Sequence, residues 1–144
     1  MSIPALDIQY APLTQADYEN ALALWQNCPG VGISEADQPH PFTMFLRRNP
    51  DTCFQAMYHG RMIGTVLAGS DGRRGYIYHL AVLMDYRRHG IGRTLLHMTL
   101  DALRAQGITK CHLMAFDAND TAKAFYTAEG WTYRHDIALF SRNL

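Results

Sequence analysis

The sequence predicts a mixed α+β fold, a mostly antiparallel sheet flanked by about four helices, and three observations carry that prediction. Alternating apolar runs fill the middle of the chain and are separated by turn residues, as at His59-Gly60 and in the stretch GSDGRRG. Apolar residues recur at helical spacing before, between and after those runs. The passage from the run GYIYHLAVL through a helical pattern to the run TKCHLMAF has the length of a crossover, which would make those two strands parallel neighbours. A chain of 144 residues, 48% hydrophobic and 18% charged, can bury one core, so a single domain over 1–144 is expected.

The elements follow in order. Leu6, Ile8 and Tyr10 alternate with polar neighbours as a half-buried strand does, and Pro12 ends it. Thr14-x-x-Asp17 reads as a capping box for a first helix carrying Ala21, Leu22, Leu24 and Trp25, stopped by Pro29 and Gly30. From Cys28 to Pro41 the chain reads as irregular, with Gly30, Gly32, Pro39 and Pro41 as breakers; segments of this kind often line substrate sites. A short helix follows through Phe42, Phe45 and Leu46 to Arg48. Two strands, TCFQAMYH and RMIGTVLAG, meet at His59-Gly60, and GYIYHLAVL completes a meander. A third helix starts near Gly90, with Ile91, Leu95, Met98 and Ala102 on one stripe, and ends at Gly107. After TKCHLMAF, a last helix spans about Asp120 to Glu129, capped by Asn119 or Asp117. The tail WTYRHDIALFSRN alternates weakly and is expected to supply one or two closing strands.

Charge excludes several partners. Thirteen Lys and Arg balance thirteen Asp and Glu, so no global field draws nucleic acid or an anionic membrane. The three cysteines, Cys28, Cys53 and Cys111, are far apart without a C-x-x-C pair, which suits reduced thiols and no metal. The opening MSIPALDIQY has neither a basic n-region nor an apolar h-region, and no run is long enough to span a bilayer. A cytoplasmic location is expected.

The chemistry concentrates in YIYHLAVLMDYRRHGIGRTLL, where a strand ends in an Arg- and Gly-rich turn that opens a helix. Glycines at 90 and 92 allow a tight turn, and amides at a helix start have no intrahelical acceptor, so several N–H groups can converge on an anion. Arg87 and Arg88 add charge. A dinucleotide fingerprint needs a third glycine after Gly90-Ile91-Gly92, where Arg93, Thr94 and Leu95 stand, and a P-loop needs an absent Gly-Lys-Ser/Thr. A nucleotide-binding domain of either kind is thereby weakened.

What the residues do match is R-x-x-G-x-G at Arg87, Gly90 and Gly92, and NDTAKAFYTAEGW at 119–131 matches N-x-x-A-x-x-F-Y-x-x-x-G-F with Trp131 for Phe. In this order and separation they resemble the acyl-CoA signatures of the GNAT superfamily of N-acetyltransferases, and the predicted elements follow that family's sequence over nearly the whole chain. Two departures stand out: Met84 where a proline is common and Arg88 where a glycine is common.

The resemblance implies the single-domain GNAT fold and acetyl-CoA-dependent transfer of an acetyl group to a primary amine of a small molecule or protein, by direct attack on the thioester and without metal. It implies that backbone groups of Leu80, Ala81 and Val82 meet pantetheine and the acetyl carbonyl. Arg87 and the segment Arg88, His89, Gly90, Ile91, Gly92, Arg93 and Thr94 would hold the pyrophosphate. On the last helix, Asn119, Ala122, Phe125 and Tyr126 share one face toward the cofactor, and Tyr126 would be the general acid toward the thiolate. A phenol with an ordinary pKa near 10 keeps its proton at neutral pH.

The base is open. The family's usual glutamate positions hold Tyr76 and Met114 here, and strict alternation puts His79 on the face opposite Tyr76 and Tyr78 unless a bulge intervenes. Deprotonation relayed by water, or an amine of low pKa, is the expectation. Plainer readings stay open beside these: Tyr126 as a buried aromatic, Asn119 as a cap alone, His79 as a hydrogen-bonded strand residue, and Arg73 and Arg74 as an exposed turn. So does a non-catalytic acyl-CoA-binding module, and a homodimer. The acceptor pocket is expected to involve residues 28–41, the 70–75 turn and the C-terminal strands.

Overall fold

The computed structural model describes residues 6–144. Residues 1–5, part of the opening stretch read above as lacking a leader, lie outside the described residues. The chain divides into two compact units, one running to Met114 and one from Ala115 to Leu144.

The first unit is a five-stranded sheet with strands in chain order, β1 (Gln9–Pro12), β2 (Phe54–Tyr58), β3 (Arg61–Ser70), β4 (Gly75–Val82) and β5 (Cys111–Leu113). All neighbours are antiparallel except β4 and β5, which pair parallel over Gly75–Ile77 and Cys111–Leu113, as the crossover length predicts. His59 and Gly60, both at positive φ (48° and 77°), join β2 to β3 in the two-residue turn that suits strand twist.

Three helices complete this unit: α1 (Tyr18–Gln26), α2 (Pro39–Arg48) and α3 (Ile91–Ala105). Thr14 does form a capping box with Asp17, but around a short 3-10 turn (Gln15–Asp17) that leads into α1. The segment read as irregular holds a second such turn, Glu35–Asp37, boxed by Ser34. Pro39 and Pro41 do not break the chain there; they occupy the first turn of α2, where a missing N–H costs nothing.

Helix α3 packs on one face of the sheet, where Gly64 lets Leu95 and Ile91 come close: a Cβ there would stand 3.1 Å from Leu95 Cδ1. Helices α1 and α2 cover the other face, burying Leu24, Trp25, Phe42 and Leu46 against Leu67 and Ala81.

In the second unit, α4 (Asp120–Ala128) is capped by Asn119, whose Oδ1 accepts from the Ala122 amide at 3.0 Å. The closing strands expected at 131–143 are absent: residues 131–144 form no ladder. Alternation defines a face but supplies no backbone partner. Here the side chains pair locally instead: Arg134 Nε and Nη2 each bond an Asp136 carboxylate oxygen at 2.8 Å, and the Tyr133 and His135 rings stand 4.3 Å apart. Phe140 is 91% exposed.

Candidate functional site

Strand β4 is the frame of the site. Its partner β5 ends opposite Ile77, so from Tyr78 to Val82 that edge of β4 has no ladder among the described residues. On the other edge the register slips: Tyr78 faces Leu67 and Ala81 faces Thr65, which leaves His79 and Leu80 together opposite Val66. This is the bulge on which the side of His79 depended. His79 takes φ 48°, and its ring turns to the α1 side, 4.6 Å from the Trp25 ring. Tyr78 lies on that same side, its ring 5.9 Å from Phe45. The alternation-based placement of His79 away from Tyr78 is therefore corrected, because a bulge shifts strand parity by one residue.

The bulge is pinned from beneath. Thr65 Oγ1 donates to the His79 carbonyl at 2.9 Å and accepts from Trp25 Nε1 at 2.9 Å. Above it, His79 Nε2 meets Asp37 Oδ1 at 2.7 Å, with the two side chains only 15% and 9% exposed. Asp37 Oδ2 accepts from the Ser34 amide at 3.0 Å, and the Asp37 carbonyl accepts from Tyr18 Oη at 2.7 Å. Asp37 escaped the sequence reading. Its signal was present, a Ser34-x-x-Asp37 spacing like that of Thr14 and Asp17, but nothing in it points to a partner 42 residues away.

Past Val82, a 3-10 turn (Met84–Tyr86) feeds the Arg- and Gly-rich corner. Arg88 and Gly90 both lie in the left-handed region, φ 67° and 74°, so Arg88 adopts the backbone that a glycine would favour. Gly90 is the N-cap of α3, and the Thr94 amide bonds back to Gly90 O at 3.0 Å. The amides of Gly90, Ile91 and Gly92, at the start of α3, have no intrahelical acceptor. A cluster of such donors at a helix start, with a cation beside it, suits a phosphate group.

Several predicted residues take a narrower part than expected. Ile91 is 2% exposed and packs inward, so only its amide can face a ligand. Gly92 is absent from the positive-φ positions and sits inside the first helical turn; Gly90 alone makes the sharp bend. Arg87 turns back, its Nε donating to the Val82 carbonyl at 3.2 Å. Arg93 and Thr94 line a surface concavity of about 350 Å³ with His97, Met98 and Asp101, which includes neither the bulge nor the corner.

The remaining predicted residues belong to the second unit. Phe125 and Tyr126 stack edge to face at 5.2 Å, and Trp131 closes on Tyr126 at 5.8 Å. Burial pushes the Tyr126 phenol up to about 12. Tyr76 and Met114, at the usual glutamate positions, flank His112: Tyr76 pairs with it across β4 and β5, rings 5.9 Å apart, and Met114 is exposed. Among the described residues there is no group of three His, Cys, Asp or Glu able to hold a metal, and no helix long and apolar enough to cross a membrane.

Comparison with known proteins identifies the family. Residues 18–131 match the sequence model of the Acetyltransferase (GNAT) family. An acetyltransferase of Pectobacterium atrosepticum is 33% identical over 112 residues, 78% of this chain and 79% of that one. Among solved structures, Ard1 from Thermoplasma volcanium superposes with TM-score 0.78 at 20% identity, over 88% of this chain and 84% of its own. The PaiA N-acetyltransferase from Thermoplasma acidophilum, in complex with coenzyme A, gives 0.75 at 17% identity, over 86% and 89%. The chain belongs to the GNAT family of acetyltransferases.

Proposed function

We propose that the protein transfers the acetyl group of acetyl-CoA to a primary amine of a small molecule or peptide, with the corner after β4 holding the pyrophosphate. The observation that carries this reading is the left-handed corner at Arg88 and Gly90, which presents the free amides of the α3 N-terminus at the end of an open strand edge. Such donors suit an anionic acceptor, and the β4 edge offers backbone groups of Leu80, Ala81 and Val82 to an extended, amide-bearing arm. Acetyl-CoA supplies an activated thioester. The chain's own residues orient it, exclude water and handle protons.

In this reading both units form one catalytic domain, supported by a family match that runs across the boundary at Met114. Tyr126 contributes a hydrogen bond. With its phenol at about 12, it stays protonated at neutral pH but is a weaker acid than an ordinary thiol, about 8.5. Its part is therefore to donate a hydrogen bond to the sulfur as negative charge develops, which stabilises the departing thiolate without full proton transfer.

Isothermal titration with coenzyme A, ATP and NAD tests the donor. Binding of coenzyme A alone is expected, and its absence would overturn the reading. Release of free thiol from acetyl-CoA over an amine library then separates an enzyme from a non-catalytic binding module.

A further inference from the structure

We propose that His79 is the catalytic base for the acceptor amine and that Asp37 is the residue that positions it. The inference rests on the transferase reading above and deepens it by identifying the proton acceptor.

An alkyl ammonium must lose a proton before its lone pair can attack a thioester. The usual carboxylate is missing at Tyr76 and Met114. The bulge supplies another group instead. It lies in the same strand segment, 78–82, that has lost its β5 partner, and the residue it reorients is His79, next to Leu80 and Ala81. An ionised Asp37 accepts from Nε2–H, which fixes the imidazole tautomer and leaves the lone pair on Nδ1. Nδ1 has no partner among the described residues, and the side chain keeps 15% of its surface exposed. Three neighbours immobilise the group: Asp37 from the 35–37 turn, Trp25 from α1 and Thr65 from β3. A left-handed histidine that costs conformational energy is held in place by all three.

Among the described residues, the titratable groups that meet this pair are Asp37 itself and Tyr18 from α1, which bonds the Asp37 carbonyl; Trp25 and Thr65 carry no charge. The step balances. One ammonium proton passes to Nδ1, giving an imidazolium beside the Asp37 carboxylate. The freed nitrogen pair forms the N–C bond while the C–S bond breaks and its electron pair leaves with sulfur. The nitrogen's second proton offsets the thiolate as free thiol, and His79 returns its proton to solvent.

The test is the pH dependence of thiol release with an amine that the wild type turns over. His79→Gln keeps a donor for Asp37, so the buried carboxylate is not orphaned. It is expected to reduce kcat/KM about 100-fold and to abolish the limb near neutrality, with coenzyme A affinity within about twofold of wild type. Asp37→Asn is expected to lose about tenfold in kcat/KM with coenzyme A affinity kept, because the imidazole is no longer held by the carboxylate, and Asp37→Glu to recover part of that loss. If His79→Gln retains the limb and most of its turnover, the proposal is overturned. If that variant does not fold, an undiminished kcat/KM in Asp37→Asn overturns it equally. A wild type that binds coenzyme A but acetylates no amine would count against the transferase reading rather than against the dyad.

Discussion

Trp25 donates its indole N–H to the Thr65 hydroxyl at 2.9 Å, inside the core and across 40 residues of chain. The same hydroxyl donates to the His79 carbonyl, so one threonine links a core tryptophan to the strand distortion at the site. Thr65→Val keeps the shape and removes both bonds. It is expected to destabilise the fold by about 2 kcal/mol, since a buried donor is left unmet. Adding Trp25→Phe removes that donor, so urea unfolding of the double variant should show less than the summed loss.

Arg88→Gly separates backbone from charge. Arginine at φ 67° carries a left-handed penalty of about 1 kcal/mol, and glycine removes it while loosening the unfolded chain by a similar amount. Thermal stability should therefore change by less than about 1 kcal/mol. Coenzyme A affinity should fall several-fold, and its salt dependence should weaken, if the guanidinium meets phosphate. Unchanged affinity across salt would assign Arg88 to solvent.

For Tyr126→Phe the expectation is a split. Coenzyme A binding measured by calorimetry should persist, while thiol release falls about 10- to 100-fold at neutral pH. Equal loss of both would make the ring a packing element.

Cys53 ties stability to alkaline pH. It is buried, and that burial pushes its thiol from 9.0 up to about 11. The unfolded chain then gives up this proton first, so the stabilising contribution is whole below pH 9 and is lost as pH rises toward 11. Two pKa units correspond to roughly 3 kcal/mol, an upper bound for one thiol. Urea midpoints between pH 8 and 11 should fall less steeply in Cys53→Ala than in wild type. The half-buried Cys111 thiol, also raised to about 11, keeps part of the slope in both.

Local signals were readable wherever the cause was local. The His59-Gly60 turn, the Thr14 and Asn119 caps and the crossover from β4 through α3 to β5 each follow from a few adjacent residues. Pro39 and Pro41 were misread because a proline that ends one segment and one that opens a helix look alike without the flanking turn. The tail at 131–144 alternates as a strand does, but a ladder needs a partner that alternation cannot specify. The least readable feature was the Asp37 and His79 pair. The side of His79 depends on a slip against Val66 in a different strand, and Asp37 meets it from a turn 42 residues earlier in the chain.

Strand order within the sheet equals strand order in the chain, and this bears on how the molecule assembles. The two hairpin contacts, β2 with β3 and β3 with β4, close over short turns and involve only residues 54–82. By contrast, β1 and β5 reach their partners only across helical excursions, so their chain entropy is lost later and for fewer ladder pairs. A three-stranded nucleus is therefore expected to form first and open last, with the amides of β3 the slowest to exchange with deuterium.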